Sequence, residues 1–333
     1  MAGTVIFTGA NCSLGIPAVN HLLREYPEYT LILTVRDTSE TDVNTNKLRA
    51  VISQYPQAKT SIYQLDLAYL SSVHDFARSI AENIANGKYP PIRAIICAAY
   101  RWNFVRDPEL TVDGLEETLQ ISHVSHVALI LRLLGSFMPN GGRILLFSSD
   151  THMPGGSVGE IYPPSLPQDL ELLAKPIAYE DKFGRGFQRY ANVKLVITCW
   201  MYALNRYLQK DEKLKHIAAV AMNPGNLVDS RSLSTNTPWW YPYNKIAPLL
   251  LPFILLHQLR DPTIRTAAPA GVDVIELALN PAYIGERGYF TFLRKDQSSA
   301  ESQDEEKQQA LWIKSLEWAR VTRDDTALTG AFE

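Results

Sequence analysis

The chain has 333 residues, 46% of them hydrophobic and 20% charged, with a net charge of −3. That supplies enough apolar material for a sizeable core and excludes wholesale disorder, and the near-neutral balance gives no basis for nucleic acid as a partner. Three scattered cysteines, Cys12, Cys97 and Cys199, are too few for a disulfide framework or a thiolate metal site and are expected in a reducing compartment. The opening MAGTVIF lacks the basic region of a signal peptide, and no apolar run reaches the ~18 residues that would span a bilayer, so a cytoplasmic chain is expected.

Apolar, β-rich runs alternate with longer helical patterns. Strands are predicted at Thr4–Thr8, Thr30–Val35, Ser61–Leu65, Ala94–Cys97, Arg143–Phe147, Ala218–Met222 and Tyr289–Phe292. Several are almost continuously apolar, as strands covered on both faces must be. In the first helical stretch Ile16, Val19, Leu23 and Tyr26 recur at helical spacing, and further helices are predicted at Leu70–Asn86, Val112–Gly135, Arg185–Gln209, Ala267–Leu279 and Leu311–Arg320. Such alternation predicts an α/β protein with a doubly wound parallel sheet. Two stretches break the rhythm. Residues 151–180 are rich in Pro and Gly and read as an insertion, either over an active-site mouth or as an outward surface loop. Residues 226–262 carry Trp239, Trp240, Tyr241 and Tyr243, then the apolar run Ala247–Leu256.

The first strand runs into Thr8-Gly9-Ala10-Asn11-Cys12-Ser13-Leu14-Gly15, followed by an amphipathic helix. A strand, a tight glycine turn and a helix N-terminus together form a dinucleotide-phosphate cradle, because glycine lets the backbone approach the pyrophosphate. Arg36 follows the second strand, where an arginine accommodates a ribose 2′-phosphate; the adjacent Asp37 is the competing choice, for a free hydroxyl. NADP(H) is therefore expected over NAD(H).

Further along, Tyr190-Ala191-Asn192-Val193-Lys194 places a tyrosine and a lysine on one helical face. A phenol with pKa near 10 is a poor base at neutral pH, and a nearby ammonium lowers that pKa. A second Tyr-x-x-x-Lys, Tyr241–Lys245, contains Pro242, which argues against a helix there. Ser148-Ser149 follow the fifth strand, and Asn223-Pro224-Gly225 follow the sixth.

Taken jointly these segments resemble the short-chain dehydrogenase/reductase family across Thr4 to about Trp318. The glycine loop is similar to the family's TGxxxGxG, with Ser13 at the middle glycine; there a Cβ crowds a phosphate or the hydroxyl bonds one of its oxygens. The nearest branch is the one holding retinol dehydrogenases, WW-domain oxidoreductases and sterol 3-ketoreductases, on the strength of TGAN, Arg36, the S-H-x-x-H helix, the long Ser–Tyr interval and the terminal LWIKSLEWAR. The resemblance implies a single Rossmann-like domain with an enlarged substrate-lid region. It implies catalytic roles for Ser149, Tyr190 and Lys194, with Ser122 at the position of the family's relay asparagine. It implies cofactor contacts from Gly9, Asn11, Ser13, Leu14, Gly15, Arg36, Asp66, Leu67, Ala98, Tyr190, Lys194, Pro224 and Gly225, with Ser230 beyond them. Cys97-Ala98-Ala99 departs from the family's Asn-Ala-Gly. His123 and His126 stand three apart with no third ligand evident, so no metal is expected. The expected activity is interconversion of a ketone and a secondary alcohol on a lipophilic terpenoid, steroid or polyketide-like substrate. The alternative is an isomerase or dehydratase without net redox, and a non-catalytic binding protein is a third reading. The apolar run after Gly225 fits a greasy lid, packing against the core or a second subunit, or peripheral contact with an internal membrane; family analogy adds a homodimer.

Overall fold

The computed structural model describes residues 2–157, 159–239 and 261–332. Seven parallel strands build the sheet: β1 (Thr4–Thr8), β2 (Thr30–Val35), β3 (Thr60–Gln64), β4 (Ile92–Cys97), β5 (Gly142–Phe147), β6 (Ile217–Asn223) and, numbered ninth in the chain, β9 (Gly288–Thr291). Their spatial order is β3-β2-β1-β4-β5-β6-β9, with the short β10 (Arg294–Lys295) antiparallel on the β9 edge. All seven expected strands form, two with their expected bounds and five with ends shifted by one or two residues. A separate pair, β7 (Asn226–Leu227) and β8 (Ile264–Arg265), joins the two ends of the stretch after β6.

The inner strands are mostly apolar because both faces are covered, whereas the edge strand β3 (Thr-Ser-Ile-Tyr-Gln) is only half-buried. Side chains alternate between the two faces: Ile6, Ile32, Ile95 and Ile144 enter one layer, while Val5, Phe7, Leu31, Leu33 and Ile96 enter the other. The second layer is closed by α1 (Gly15–Glu25) and α8 (Ala267–Leu279), the latter with the bounds expected from its pattern. α2 (Val43–Ile52) was not anticipated, since its sequence is mostly polar; Asp42 caps it by accepting from the Thr45 amide at 2.6 Å.

The first layer holds α3 (Leu70–Ala85), α5 (Ser125–Leu133) and the 29-residue α7 (Lys182–Lys210). The helix expected over Val112–Gly135 begins later. α4 (Glu117–Leu119) passes through a π-helical stretch, Gln120–Val124, into α5. The last helix, α9 (Glu305–Trp318), starts six residues earlier than its apolar pattern suggests, capped by Asp304. Trp312 stacks on Trp200 of α7, and Ser315 bonds His123 at 2.8 Å. α9 thus covers part of the surface of α7 and of the stretch leading into α5.

Within residues 151–180, the part around Leu166–Ala174 is packed against the rest of the chain. α6 (Glu171–Ala174) buries Leu173 and Ala174, Glu171 bonds Lys314 at 2.8 Å, and the Leu166 amide bonds Glu301 at 3.2 Å. The second half of this stretch is therefore packed against α9 and the turn before it. Of the expected lid, residues 240–260 lie outside the described residues, including the apolar run and the second Tyr-x-x-x-Lys.

Candidate active site

Strand order reverses between β1 and β4, so connections leave the carboxyl ends of these strands in opposite directions and open a crevice there. The glycine loop lines one side and Ala98-Ala99 the other. Gly9 has φ of +65°, and a Cβ on it would lie 2.9 Å from Ala99 Cα. A Cβ on Gly15 would lie 2.5 Å from the Ala10 carbonyl oxygen. Both glycines are therefore required by close backbone approach. The Ala99 amide donates to the Thr8 hydroxyl at 3.3 Å, joining the two walls.

Beneath them His126 Nδ1 lies 3.1 Å from the Ser122 carbonyl, which only accepts. Nδ1 therefore carries the proton, and Nε2 accepts the Thr8 hydroxyl at 2.9 Å. Burial pushes His126 down to about 4 and His123 down to about 3. Among the described residues no group of three or more His, Cys, Asp or Glu stands close enough to hold a metal ion.

α7 carries Tyr190 and Lys194 across the carboxyl end of β5. Lys194 is buried, and its Nζ donates to the Phe147 carbonyl at 2.8 Å. The same Nζ lies 5.3 Å from the ring centres of both Tyr190 and Tyr100. Burial pushes the Lys194 ammonium down to about 7. Ser148 turns inward to Thr198 at 2.7 Å, which leaves Ser149 as the serine at the strand end. The Ser149 hydroxyl donates to Asp150 at 2.8 Å, and burial raises the Asp150 carboxyl above the ordinary range. His152 accepts the Ser299 amide on Nε2 at 3.0 Å and donates from Nδ1 to the Ser149 carbonyl at 2.5 Å, fixing that turn.

Ser122 sits in the π-helical stretch, a distortion frequent at functional sites. Its hydroxyl accepts the Arg101 amide at 3.3 Å, and the Lys194 Nζ donates to Phe147 instead. Asp66 accepts the Ala68 amide at 3.0 Å in a local turn, while the Leu67 carbonyl accepts the Ser125 hydroxyl at 2.6 Å and braces α5. Arg36 is exposed with no hydrogen-bond or ion-pair partner among the described residues, whereas Asp37 accepts the Ser39 amide at 2.7 Å. Asn11 donates to Thr45 at 3.0 Å, and Leu14 is buried. Gly225 turns the chain after Pro224, with its amide bonded to Asn223 Oδ1 at 2.9 Å.

Two features escaped sequence reasoning. The first is an aromatic wall. Tyr100, Trp102 and Phe104, alternate residues of the stretch after β4, turn to the Tyr190 ring at centroid distances of 6.5, 5.2 and 6.1 Å. The period-two pattern YRWNF was a readable signal. Arg189 holds the wall in place, bonding the Asn103 carbonyl at 3.0 Å and lying 3.6 Å from buried Glu116. The second is a strap. After β7 the chain crosses from the glycine loop to the wall: the Arg231 amide donates to Ser13 Oγ at 3.0 Å, Trp102 Nε1 to the Thr235 carbonyl at 3.0 Å, and the Phe104 amide to the Asn236 carbonyl at 2.9 Å. Ser13 therefore holds protein backbone. Ser230 and Ser232 bond each other at 2.7 Å and face the Tyr100 hydroxyl.

A doubly wound sheet with a glycine turn at its switch point, a serine just past β5 and a Tyr and Lys on the stretch of α7 pinned to that strand end defines an oxidoreductase scaffold of the Rossmann type. The chain belongs to the short-chain dehydrogenase/reductase family. It is 31% identical, over 98% of both chains, to a short-chain dehydrogenase, iccH, of Talaromyces variabilis. It is 58% identical to the dehydrogenase acuH of Aspergillus aculeatus over 22% of this chain and 74% of that one, and residues 236–328 match the model of the AcuH dehydrogenase domain. The WW domain-containing oxidoreductase of Drosophila melanogaster is 28% identical over 75% of this chain and 54% of its own length. Among solved structures, an actinorhodin polyketide ketoreductase variant with NADPH superposes with a TM-score of 0.60 at 12% identity, covering 87% of this chain and 96% of that one. The carbonyl reductase Sniffer of Drosophila melanogaster gives 0.56 at 14% identity, covering 90% and 100%. Both are likenesses of fold.

Proposed function

We propose that this oxidoreductase uses NADP(H) to interconvert a ketone and a secondary alcohol on a lipophilic substrate, with Tyr190 as the general acid/base. The observation that carries the reading is the buried Lys194 ammonium 5.3 Å from the Tyr190 ring centre, on a helix pinned to Phe147, the last residue of the strand that Ser148-Ser149 follow. A cation there favours the phenolate, which lets Tyr190 give a proton to a carbonyl oxygen or take one from a hydroxyl near neutral pH. Ser149 polarises the same oxygen. When bound, the nicotinamide supplies or accepts the hydride. The cradle fits a dinucleotide: Gly9 and Gly15 leave room that a Cβ would fill, and Arg36, without a partner among the described residues, suits a 2′-phosphate while Asp37 is held in its turn. NADPH in the solved polyketide ketoreductase structure supports that choice by analogy. The aromatic wall supports an apolar substrate. Titration with NADPH and NADH, then turnover of lipophilic ketones, tests the reading; weak binding of both nucleotides overturns it.

The second reading, acid/base isomerisation or dehydration without net redox, is favoured by the raised Asp150 carboxyl beside Ser149 and by Ser122 being bonded to Arg101 instead of lying on a path to Lys194. Turnover by cofactor-stripped protein with no change in nicotinamide absorbance would establish it.

A further inference from the structure

The strap delivers a cation to the nucleotide end of the crevice. Arg231 is half-buried, and among the described residues no carboxylate pairs with it. Its guanidinium instead donates to two neutral acceptors at 2.5 Å, the Asn11 carbonyl in the glycine loop and Asn44 Oδ1 in the first turn of α2. A guanidinium withdrawn from water without a counter-charge is unfavourable unless an anion joins it.

Two of the acids close by are already engaged. Asp37 accepts the Ser39 amide at 2.7 Å. Asp42 accepts the Thr45 amide at 2.6 Å and Asn11 Nδ2 at 3.4 Å. Glu40 is exposed on the same connection. Thr45 ties the elements together, accepting from Asn11 at 3.0 Å and donating to the Asp37 carbonyl at 2.8 Å. These bonds bring Arg231 to the connection that follows Arg36 at the end of β2, and it is at this strand end that a Rossmann sheet meets the ribose 2′ position of a dinucleotide.

We propose that Arg231 binds the 2′-phosphate of NADP(H) together with Arg36, and that Ser13 positions it by accepting its backbone amide. This rests on the NADP(H) reading above. Arg231 exchanges its two neutral acceptors for phosphate oxygens, and its planar fork can engage two of them at once. The serine at the family's middle glycine is then a positioning residue for a cation that arrives 218 residues later in the chain.

The test is equilibrium binding of NADPH, NADH, 2′,5′-ADP and 5′-ADP to the full-length chain, with folding of each variant checked by thermal melting. Arg231→Ala should weaken NADPH and 2′,5′-ADP by roughly 10- to 100-fold, the scale of a lost charge-assisted bond, and NADH and 5′-ADP by less than about 3-fold. Arg231→Lys keeps the charge without the fork and should fall between; it decides the matter if the alanine variant does not fold. Ser13→Gly should weaken NADPH by about 3- to 10-fold with little change for NADH. Equal losses for the phosphorylated and unphosphorylated ligands, or no loss, overturn the proposal. A wild-type chain that prefers NADPH while Arg231→Ala keeps that preference overturns this inference alone. A wild-type chain with no preference removes the NADP(H) reading and this inference with it.

Discussion

Lys194 donates to the main-chain carbonyl of Phe147 at 2.8 Å, pinning the middle of α7 to the last residue of β5. That bond sets the level at which Tyr190, one helical turn earlier, meets the strand end carrying Ser149. It also keeps the ammonium out of water, and that burial weakens its hold on the proton.

The ionisation of Lys194 links stability to pH. Burial lowers it from 10.5 to about 7 in the folded chain. Below pH 7 the lysine is charged in both the folded and unfolded states, and the full penalty of burying it is present. Between pH 7 and 10.5 the unfolded chain binds more protons, so stability rises with pH. The stability of the wild type relative to Lys194→Gln, followed by denaturant titration, should be flat below pH 7 and should climb above it. A difference constant through this range would show that the lysine is not depressed.

Three buried histidines give the opposite flank. Burial pushes His123 to about 3 and His126 and His152 to about 4, from 6.5. Each stays neutral in the folded chain while the unfolded chain takes up protons below 6.5. Stability should fall as pH drops from 6.5 toward 4, with a limiting slope of about 4 kcal/mol per pH unit if all three contribute. Replacing His126 by Asn should flatten the slope; an unchanged slope would exclude it as a contributor.

Tyr190→Phe should lower turnover by roughly 100- to 10,000-fold, the usual range for a lost general acid/base, while NADPH affinity changes by no more than a few-fold. Steady-state rates and nucleotide titration separate the two. Retained turnover would remove Tyr190 from the mechanism.

Gly9→Ala places a Cβ 2.9 Å from the Ala99 backbone at a φ of +65°. It should destabilise the fold by about 1–3 kcal/mol and abolish measurable dinucleotide binding. A variant with wild-type stability and binding would show that the two walls of the crevice can separate freely.

Trp102 lies edge-to-face on Tyr190 at 5.2 Å, and its indole N–H ties the strap. Trp102→Phe keeps an aromatic ring but loses the bond to Thr235, whereas Trp102→Ala loses both. If the wall receives substrate, KM for a lipophilic ketone should rise about 10-fold or more in Trp102→Ala and less in Trp102→Phe, with NADPH affinity nearly unchanged. Equal KM values in all three proteins would place the substrate elsewhere.

The sequence by itself determined whatever is set within one element. Apolar runs located the inner strands of the parallel sheet, because covering both faces leaves no polar alternation, whereas the half-buried edge strand Thr60–Gln64 carries polar residues. Ala267–Leu279 emerged with its bounds intact, and Tyr190 and Lys194 were assigned to one helix because i,i+4 spacing is a local geometric property. Where local pattern was weak the reading failed: polar α2 was missed, and the π-helical stretch at Gln120–Val124 was taken for ordinary helix. The tertiary structure alone decided what Ser13 and Ser122 touch. Ser13 meets Arg231 across 218 residues and Ser122 meets Arg101 across 21. A hydroxyl takes whichever partner the packed chain brings within 3 Å or so, and no periodicity encodes that partner. The strap, the aromatic wall and the direction in which Lys194 points arise in the same way, from strand order and helix crossing instead of from neighbours in the chain.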